Sequence, residues 1–332
     1  MTDPLDVGAL VGDVGEADLL ARILPILPAA AAATTGPGDD AAVVGTTDGR
    51  YVVTTDLMVH GPDFRLAWST PWELGWKAAA TNLSDVAAMG ARPTAIVVAI
   101  AATPTLPVSA LERFATGLRD ACDALAPGCG VVGGDLSVSD TFTIAVTAFG
   151  DLGGREPVLR SGARVGDVVA VSGELGRAAA GLRLLFSDGV DDEGRPDAAR
   201  TAALRERSPD VLAAQFAPRP PIGDGVLAAV AGATAMLDLS DGLALDSARL
   251  ATASGVAIDL DLSALGPDPV LALGGGEDHS LFATFPPAAA LPGGFRRIGE
   301  VVEGPAGAVL GDGAPLEATG WDPYSGWDGG TG

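Results

Sequence analysis

Lysine is almost missing from this chain: its 332 residues hold one, Lys77, against nineteen arginines. That scarcity removes whole enzyme classes. A P-loop needs Gly-x-x-x-x-Gly-Lys-Ser/Thr, whereas Lys77 follows Trp72-Glu73-Leu74-Gly75-Trp76. The Val-Ala-Ile-Lys strand of protein kinases is absent too. Any nucleotide chemistry must therefore use arginine, backbone amides and metal ions. Cysteine and histidine are equally sparse, with Cys122, Cys129, His60 and His279 as the full complement. Two cysteines cannot build a disulfide framework or a zinc site, and both are expected to be structural. A Ser-His-Asp triad and a soft-metal centre are disfavoured on the same ground. Basic charge is short, with 20 Lys and Arg against 43 Asp and Glu, a net charge of −23. Duplex DNA and anionic membranes call for clustered positive charge, so neither is an expected partner. The longest strongly apolar run, Ala95 to Ala102, is far below the roughly 20 residues of a membrane span. The acidic N-terminus has no basic region before an apolar stretch, so no signal peptide is expected. The expectation is a soluble, cytoplasmic protein. With 48% hydrophobic residues the chain is not disordered.

The length suggests two domains, at roughly 150 residues each. The first is expected over residues 1–152 and the second over 153–325, with a Gly-rich tail at 326–332. A helix is predicted from Ala17 to Leu27, with the alanine run Ala29 to Ala33 either extending it or serving as linker. Ala41 to Val44 and Tyr51 to Thr55 read as a hairpin. Thr70-Pro71-Trp72-Glu73 has the form of a capping box with Pro at the first helical position, opening a helix to about Met89. A strand from Ala95 to Ala101 precedes a helix carrying Leu111, Ala115, Leu118, Cys122 and Leu125 on one face. Val131-Val132 and Phe142 to Phe149 complete a mostly antiparallel α+β unit. In the second unit, strands are predicted at Val168–Val171, Ala235–Leu237, Val256–Leu260, Ser280–Phe285 and Arg297–Val302. Helices are predicted near Gly176–Phe186, Ala198–Phe216 and Asp241–Ser254.

The acidic residues recur at the ends of apolar runs, beside glycine. They include Gly38-Asp39-Asp40, Thr54-Thr55-Asp56, Asn82-Leu83-Ser84-Asp85, Gly133-Gly134-Asp135 and Asp238-Leu239-Ser240-Asp241-Gly242. Singly, most of these read as turn or N-cap chemistry as readily as ligands. Asp85 differs, because a carboxylate in mid-helix beside the apolar Ala79, Leu83 and Val86 is costly to desolvate. If the five sites converge, like charges 4 Å apart repel by about 4 kcal/mol per pair at an effective dielectric near 20. Only a cation would relieve that. Oxygen donors without Cys or His select hard ions, Mg²⁺ first, and Mg²⁺ held this way goes with nucleoside triphosphate.

These motifs, together with Leu159-Arg160-Ser161-Gly162-Ala163 and Gly275-Gly276-Glu277-Asp278, stand in the order found in the thiamine-monophosphate kinase family. That family belongs to the superfamily of aminoimidazole ribonucleotide synthetase, and the chain resembles it from about Gly15 to Trp321. The resemblance implies an α+β, two-domain aminoimidazole ribonucleotide synthetase-like fold. Its N-terminal, sheet-forming domain would pair with a copy of itself in a homodimer. A C-terminal α/β domain would pack behind it, with ATP in the cleft between. By position, Asp40, Thr55, Asp56, Asp85, Asp135, Asp238 and Asp241 would hold magnesium, with Thr54 assisting. Gly134, Asp135, Arg160 and Ser240 would meet ATP, and Asp135, Asp241 and Arg160 would act in catalysis. Asp63, Glu277 and Trp321 would meet the acceptor, thiamine monophosphate. The implied reaction is magnesium-assisted, in-line transfer from ATP, giving thiamine diphosphate. Alternatives are another acceptor within the superfamily, or a non-catalytic Mg-nucleotide-binding dimer. Three positions depart from the family pattern: Asp63 stands where His is usual, His279 where Tyr is usual, and Asp322-Pro323-Tyr324 follows Trp321. All three are expected on the acceptor side.

Overall fold

The computed structural model describes residues 9–14, 16–35 and 41–320. Its first half contains α1 (Glu16–Ile23), β1 (Ala33–Thr35), β2 (Val43–Val44), β3 (Val52–Val59), α2 (Pro71–Ala88), β4 (Arg92–Ala102), α3 (Val108–Leu125), β5 (Gly130–Val138) and β6 (Thr143–Asp151). Four of these strands form a sheet in the order β3-β6-β4-β5, antiparallel except for the β4–β5 pair. One face of this sheet lies under α2 and α3. The other carries Val53 and Leu57 to solvent.

The second half runs β7 (Val168–Ser172), α4 (Arg177–Asp188), α5 (Ala198–Arg207), α6 (Pro209–Phe216), α7 (Ile222–Val230), β8 (Ala235–Asp238), α8 (Leu243–Ser254), β9 (Ala257–Leu260), α9 (Pro269–Gly274), β10 (Leu281–Phe285), β11 (Arg296–Val302), β12 (Val309–Gly311) and β13 (Ala314–Pro315). Its strands make a seven-stranded sheet, β13-β12-β9-β11-β7-β10-β8, in which only β12 and β9 run parallel. The α+β class and the order of its main elements follow the sequence reading.

α2 is the piece that both halves share. Its capping box forms as predicted: Glu73 N–H donates to Thr70 Oγ1 and Thr70 N–H donates to Glu73 Oε2. Small side chains cover most of its surface, with Ala78, Ala79, Ala80, Leu83, Val86 and Ala87 inaccessible to solvent. A helix apolar on nearly every side belongs in an interior. α2 packs against α3, β3 and β6 on one side and against α7, β8 and β10 on the other. Gly90, in a left-handed conformation (φ 72°), ends the helix where the sequence places its stop.

Four expectations need correction. The predicted hairpin does not form: β2 pairs with β1, while β3 pairs with β6 along its whole length, from Val52 opposite Gly150 to Val59 opposite Thr143. An eight-residue partner that buries Met58 outcompetes a short local turn. α1 ends at Ile23, just before Pro25, short of Leu27. The predicted Ala198–Phe216 helix is two, because Pro209 cannot continue α5 and instead starts α6. Finally, Thr54-Thr55-Asp56 and Gly133-Gly134-Asp135 lie inside β3 and β5, not at their ends. Among the described residues, no helix is long and apolar enough to cross a membrane.

Where α2 crosses α3 the two backbones nearly touch. A Cβ added at Gly75 would sit 2.0 Å from the Phe114 carbonyl oxygen, and one at Gly117 would sit 2.0 Å from that of Trp72. Gly75→Ala or Gly117→Ala should therefore force the helices apart, at about 1–3 kcal/mol each. Thermal melts should show a drop of several degrees for either variant, and unchanged melting would mean the crossing is looser than described.

Candidate active site

α2 carries a polar row through its apolar surroundings. Lys77, Thr81 and Ser84-Asp85 recur at helical spacing, and all but Asp85 are buried. From Lys77 to Asp85 the row spans about 12 Å at 1.5 Å per residue. Each end meets acidic residues from elsewhere in the chain.

At the Asp85 end, four carboxylates approach one another. Thr54 Oγ1 on β3 donates to Asp85 Oδ2 at 2.8 Å. Asp85 also lies close enough to Asp238, at the end of β8, to feel its charge. Ser84 Oγ lies 3.1 Å from Asp238 Oδ2, and His279 Nδ1 lies 3.2 Å from the same oxygen. Burial, with the charges of Asp238 and Asp56 added, pushes Asp85 up to about 7. Burial would raise Asp238 as well, but the hydrogen bond and charge of His279, with Ser84 and Asp85, hold it below the ordinary carboxylate range. Loss of solvent raises Asp56, with Asp238, Asp241 and Asp63 adding to the rise.

Asp241 begins the turn into α8. Arg249 Nη1 holds it at 2.5 Å and reaches Asp246 Oδ1 at 2.7 Å. The backbone N–H of Asp241 donates to Asp246 Oδ2. Ser240, one residue earlier, accepts from the Glu277 N–H through its carbonyl. This approach of two chain segments requires Gly276, since a Cβ there would lie 2.2 Å from the Ser240 oxygen.

At the Lys77 end, a cavity of about 480 Å³ is lined by Asp63, Phe64, Trp68, Gln215, Ser240 and Glu277, among others. Lys77 Nζ donates to Glu277 Oε2 at 2.7 Å. Burial would raise Glu277, yet the Lys77 charge and the hydrogen bonds from Lys77 and Gln215 keep it below the usual range. Asp63 Oδ2 accepts from the Val59 N–H at 2.7 Å and is raised by burial. Glu277 and His279 both hold left-handed backbone, φ 66° and 51°. Asp278, between them, accepts from the N–H groups of Gly176 and Ala178 at the start of α4. Backbone held in this region costs about 1–3 kcal/mol per residue and is kept only where its surroundings enforce it.

The chain thus gathers Thr54, Asp56, Asp85, Asp238 and Asp241 at one end, and Asp63, Ser240 and Glu277 at the other. Other expected site residues lie elsewhere. Thr55 faces away, its hydroxyl donating to the Val146 carbonyl beside Thr147. Asp135 is on the far edge strand: Asp56 pairs with Val146, Val146 with Val98 and Val98 with Gly134. Three strand spacings make that about 14 Å. Gly134 and Asp135 instead border a second, apolar cavity of about 310 Å³, beside Ala41-Ala42, Phe114 and Leu118. Arg160 is exposed, and its described hydrogen bond is through its carbonyl to Ser254. Asp40 and Trp321 lie outside the described residues. Among the described residues no three His, Cys, Asp or Glu side chains are gathered tightly enough to hold a metal ion by themselves.

His279 corrects the sequence reading. Expected on the acceptor side, its ring lies against Asp238 among the carboxylates. Lys77, Gln215, Ser84 and Arg249 also join the site, with no role expected of them from the sequence. The helical spacing of Lys77, Thr81 and Asp85 was the signal available for the first of these. Nothing local marks Gln215 or Arg249.

Comparisons with known proteins bear on the family and the fold. Residues 38–152 match the family described as AIR synthase related protein, N-terminal domain. The thiamine-monophosphate kinase of Mycobacterium tuberculosis (strain ATCC 25618 / H37Rv) is 45% identical over 307 residues, covering 88% of this chain and 84% of that protein. The thiamine-monophosphate kinase of Corynebacterium glutamicum is 40% identical over 319 residues, covering 91% and 90%. The solved structure described as AaThiL complexed with AMPPCP and TMP superposes with a TM-score of 0.67 at 32% identity, over 92% of this chain and 94% of that one.

The raised Asp85 makes a prediction for the metal-free protein. The folded state binds a proton there that the unfolded chain releases above pH about 4, so this contribution to stability is full below that and is lost as pH rises through about 7. Melting in chelator from pH 4 to 8 should show Asp85→Asn gaining on the parent as pH rises. A gap between the two that does not change with pH would contradict the arrangement.

Proposed function

The chain belongs to the thiamine-monophosphate kinase family, and we propose that it transfers the γ-phosphoryl group of ATP to thiamine monophosphate, giving ADP and thiamine diphosphate. The observation that carries this reading is the meeting of Asp56, Asp85 and Asp238, from β3, α2 and β8, beside the cavity that contains Asp63 and Glu277.

Magnesium fits the donor set, because Thr54, Asp56, Asp85, Asp238 and Asp241 offer oxygen alone and Asp40 would add another. When bound, the ions would neutralise the phosphates of both substrates and polarise the transferring group. The approach left incomplete by the protein alone suits Mg²⁺, which keeps several phosphate and water ligands. Asp238 and Asp241 flank Ser240 and would hold their ions against the triphosphate. Arg249 balances Asp241 until then. The apolar cavity beside Gly134 and Asp135 suits the flat base of the nucleotide, with α3 as its wall. Arg160 would add a charge-assisted hydrogen bond to a phosphate.

In the reaction an oxygen of the acceptor phosphate bonds to the γ-phosphorus while the bond from that phosphorus to the bridging β,γ-oxygen breaks. ADP takes the bonding pair. The acceptor oxygen is largely ionised at neutral pH, since the second pKa of a phosphate monoester is about 6, so the protein need not remove a proton. Catalysis is then alignment and charge stabilisation, which a chain poor in His and Lys can provide. Glu277 and Asp63 would hold the cationic acceptor.

The exposed face with Val53 and Leu57 supports a homodimer built sheet against sheet, and we place the enzyme in the cytoplasm, where its co-substrate is made.

Purified protein with ATP, Mg²⁺ and thiamine monophosphate should yield ADP and thiamine diphosphate in equal amounts by chromatography; nucleotide binding without product would favour a non-catalytic role. Asp238→Asn should reduce kcat by at least about a hundredfold with melting preserved. Near-normal turnover in Asp238→Asn would detach β8 from the metal site. Leu57→Arg should shift the protein to monomer in analytical ultracentrifugation, and an unchanged mass would remove the sheet face as the interface.

A further inference from the structure

The lone lysine takes no part in the chemistry above, yet its placement is costly. Lys77 is 6% exposed, in the middle of an apolar helix, and its ammonium group is held by Glu277. Gln215, 5% exposed on α6, donates its Nε2 to the same carboxylate oxygen, Oε2, at 2.5 Å. Two donors on one oxygen leave Glu277 Oε1 without a hydrogen bond among the described residues. The amide of Gln215 is oriented by that contact, since only its nitrogen can donate to a carboxylate. Its carbonyl oxygen, Oε1, is then buried with no partner, and Gln215 lines the same cavity as Glu277. Buried acceptors without partners are rare, and one in a cavity wall points to a missing donor.

We propose that Glu277 Oε1 and Gln215 Oε1 receive the exocyclic amino group of the acceptor's pyrimidine ring, and that Lys77 is the positioning residue that fixes both. An aromatic amino group offers two N–H donors in one plane, enough for the two acceptors left open by this contact. Lys77 aligns them by fixing the oxygen that Gln215 also binds. It also cancels the Glu277 charge, so that this end of the cavity is polar without being strongly anionic. Asp63 is left as the carboxylate that faces the positively charged ring of the acceptor. The inference rests on the acceptor assignment of this cavity made above and adds to it the group that is read there.

Steady-state kinetics on the full-length enzyme test it. Lys77→Met and Gln215→Leu should each raise the acceptor KM at least about tenfold, with kcat and the ATP KM within about twofold of the parent. Lys77→Arg should recover most of the loss. Lys77→Met combined with Glu277→Gln should be no worse than Glu277→Gln alone, because Lys77 acts through Glu277. The parent should also discriminate, by at least about tenfold in kcat/KM, against an acceptor whose ring amino group is replaced by oxygen, and Gln215→Leu should erase that preference. This last comparison needs no Lys77 variant, so it decides the matter even where Lys77→Met does not fold. Additive effects of Lys77→Met and Glu277→Gln, equal losses for ATP and acceptor, or equal use of the two acceptors would overturn the proposal. If Glu277→Gln leaves the acceptor KM unchanged, the assignment of the cavity itself falls. If Glu277→Gln weakens the acceptor while Lys77→Met and Gln215→Leu do not, only the present inference falls.

Discussion

Carboxylates from distant parts of the chain can occupy one crevice because most of them have a donor or a counter-charge of their own. Asp85 has Thr54, Asp238 has His279 and Ser84, Asp241 has Arg249, and Glu277 has Lys77 and Gln215. Unpaired, such groups would repel by several kcal/mol per contact or take up protons. Asp85 partly follows the second route, as its rise to about 7 records. The crevice is therefore stabilised by partners that the protein itself supplies.

What brings the carboxylates together is the buried position of α2. It lies between the four-stranded sheet and the seven-stranded one, so a residue on its polar row is within reach of both. Thr54 approaches from β3, Asp238 from β8 and Glu277 from the segment before β10. A helix of alanines and glycine at its crossing points can be covered on every side, and the cost of its few polar residues is offset by the partners each one finds. Packing and chemistry are set by the same eighteen residues, Pro71–Ala88.

Much of this was readable from the residues. The capping box, the stop at Gly90 and the one-face stripe of α3 are local, and each formed where its residues predicted. The acidic motifs could be found because glycine and carboxylate recur beside β-branched runs. Pairing choices were less legible. Nothing in Val43-Val44 says that β1 will claim it, since that outcome depends on β6 nearly a hundred residues away attracting β3. The side of the site on which His279 falls was equally hidden. Its neighbour Glu277 lines the cavity at the Lys77 end, and only the left-handed backbone at both positions sends two nearby side chains to different ends of the crevice. Gln215 and Arg249 lie on helices whose composition is ordinary, so only the folded arrangement gives them a role.

Residues 277–279 carry one more implication. Glu277 is moored to α2 and α6, Asp278 to the first turn of α4, and His279 to the end of β8. Three successive side chains leave in three directions, with no spare residue between them. Such a stretch tolerates exchange of side-chain chemistry, as a histidine in place of tyrosine illustrates, but not a change in length. One residue added or removed would rotate every later anchor onto the wrong neighbour, so insertions among descendants of this chain should gather in its outer loops and spare this tripeptide.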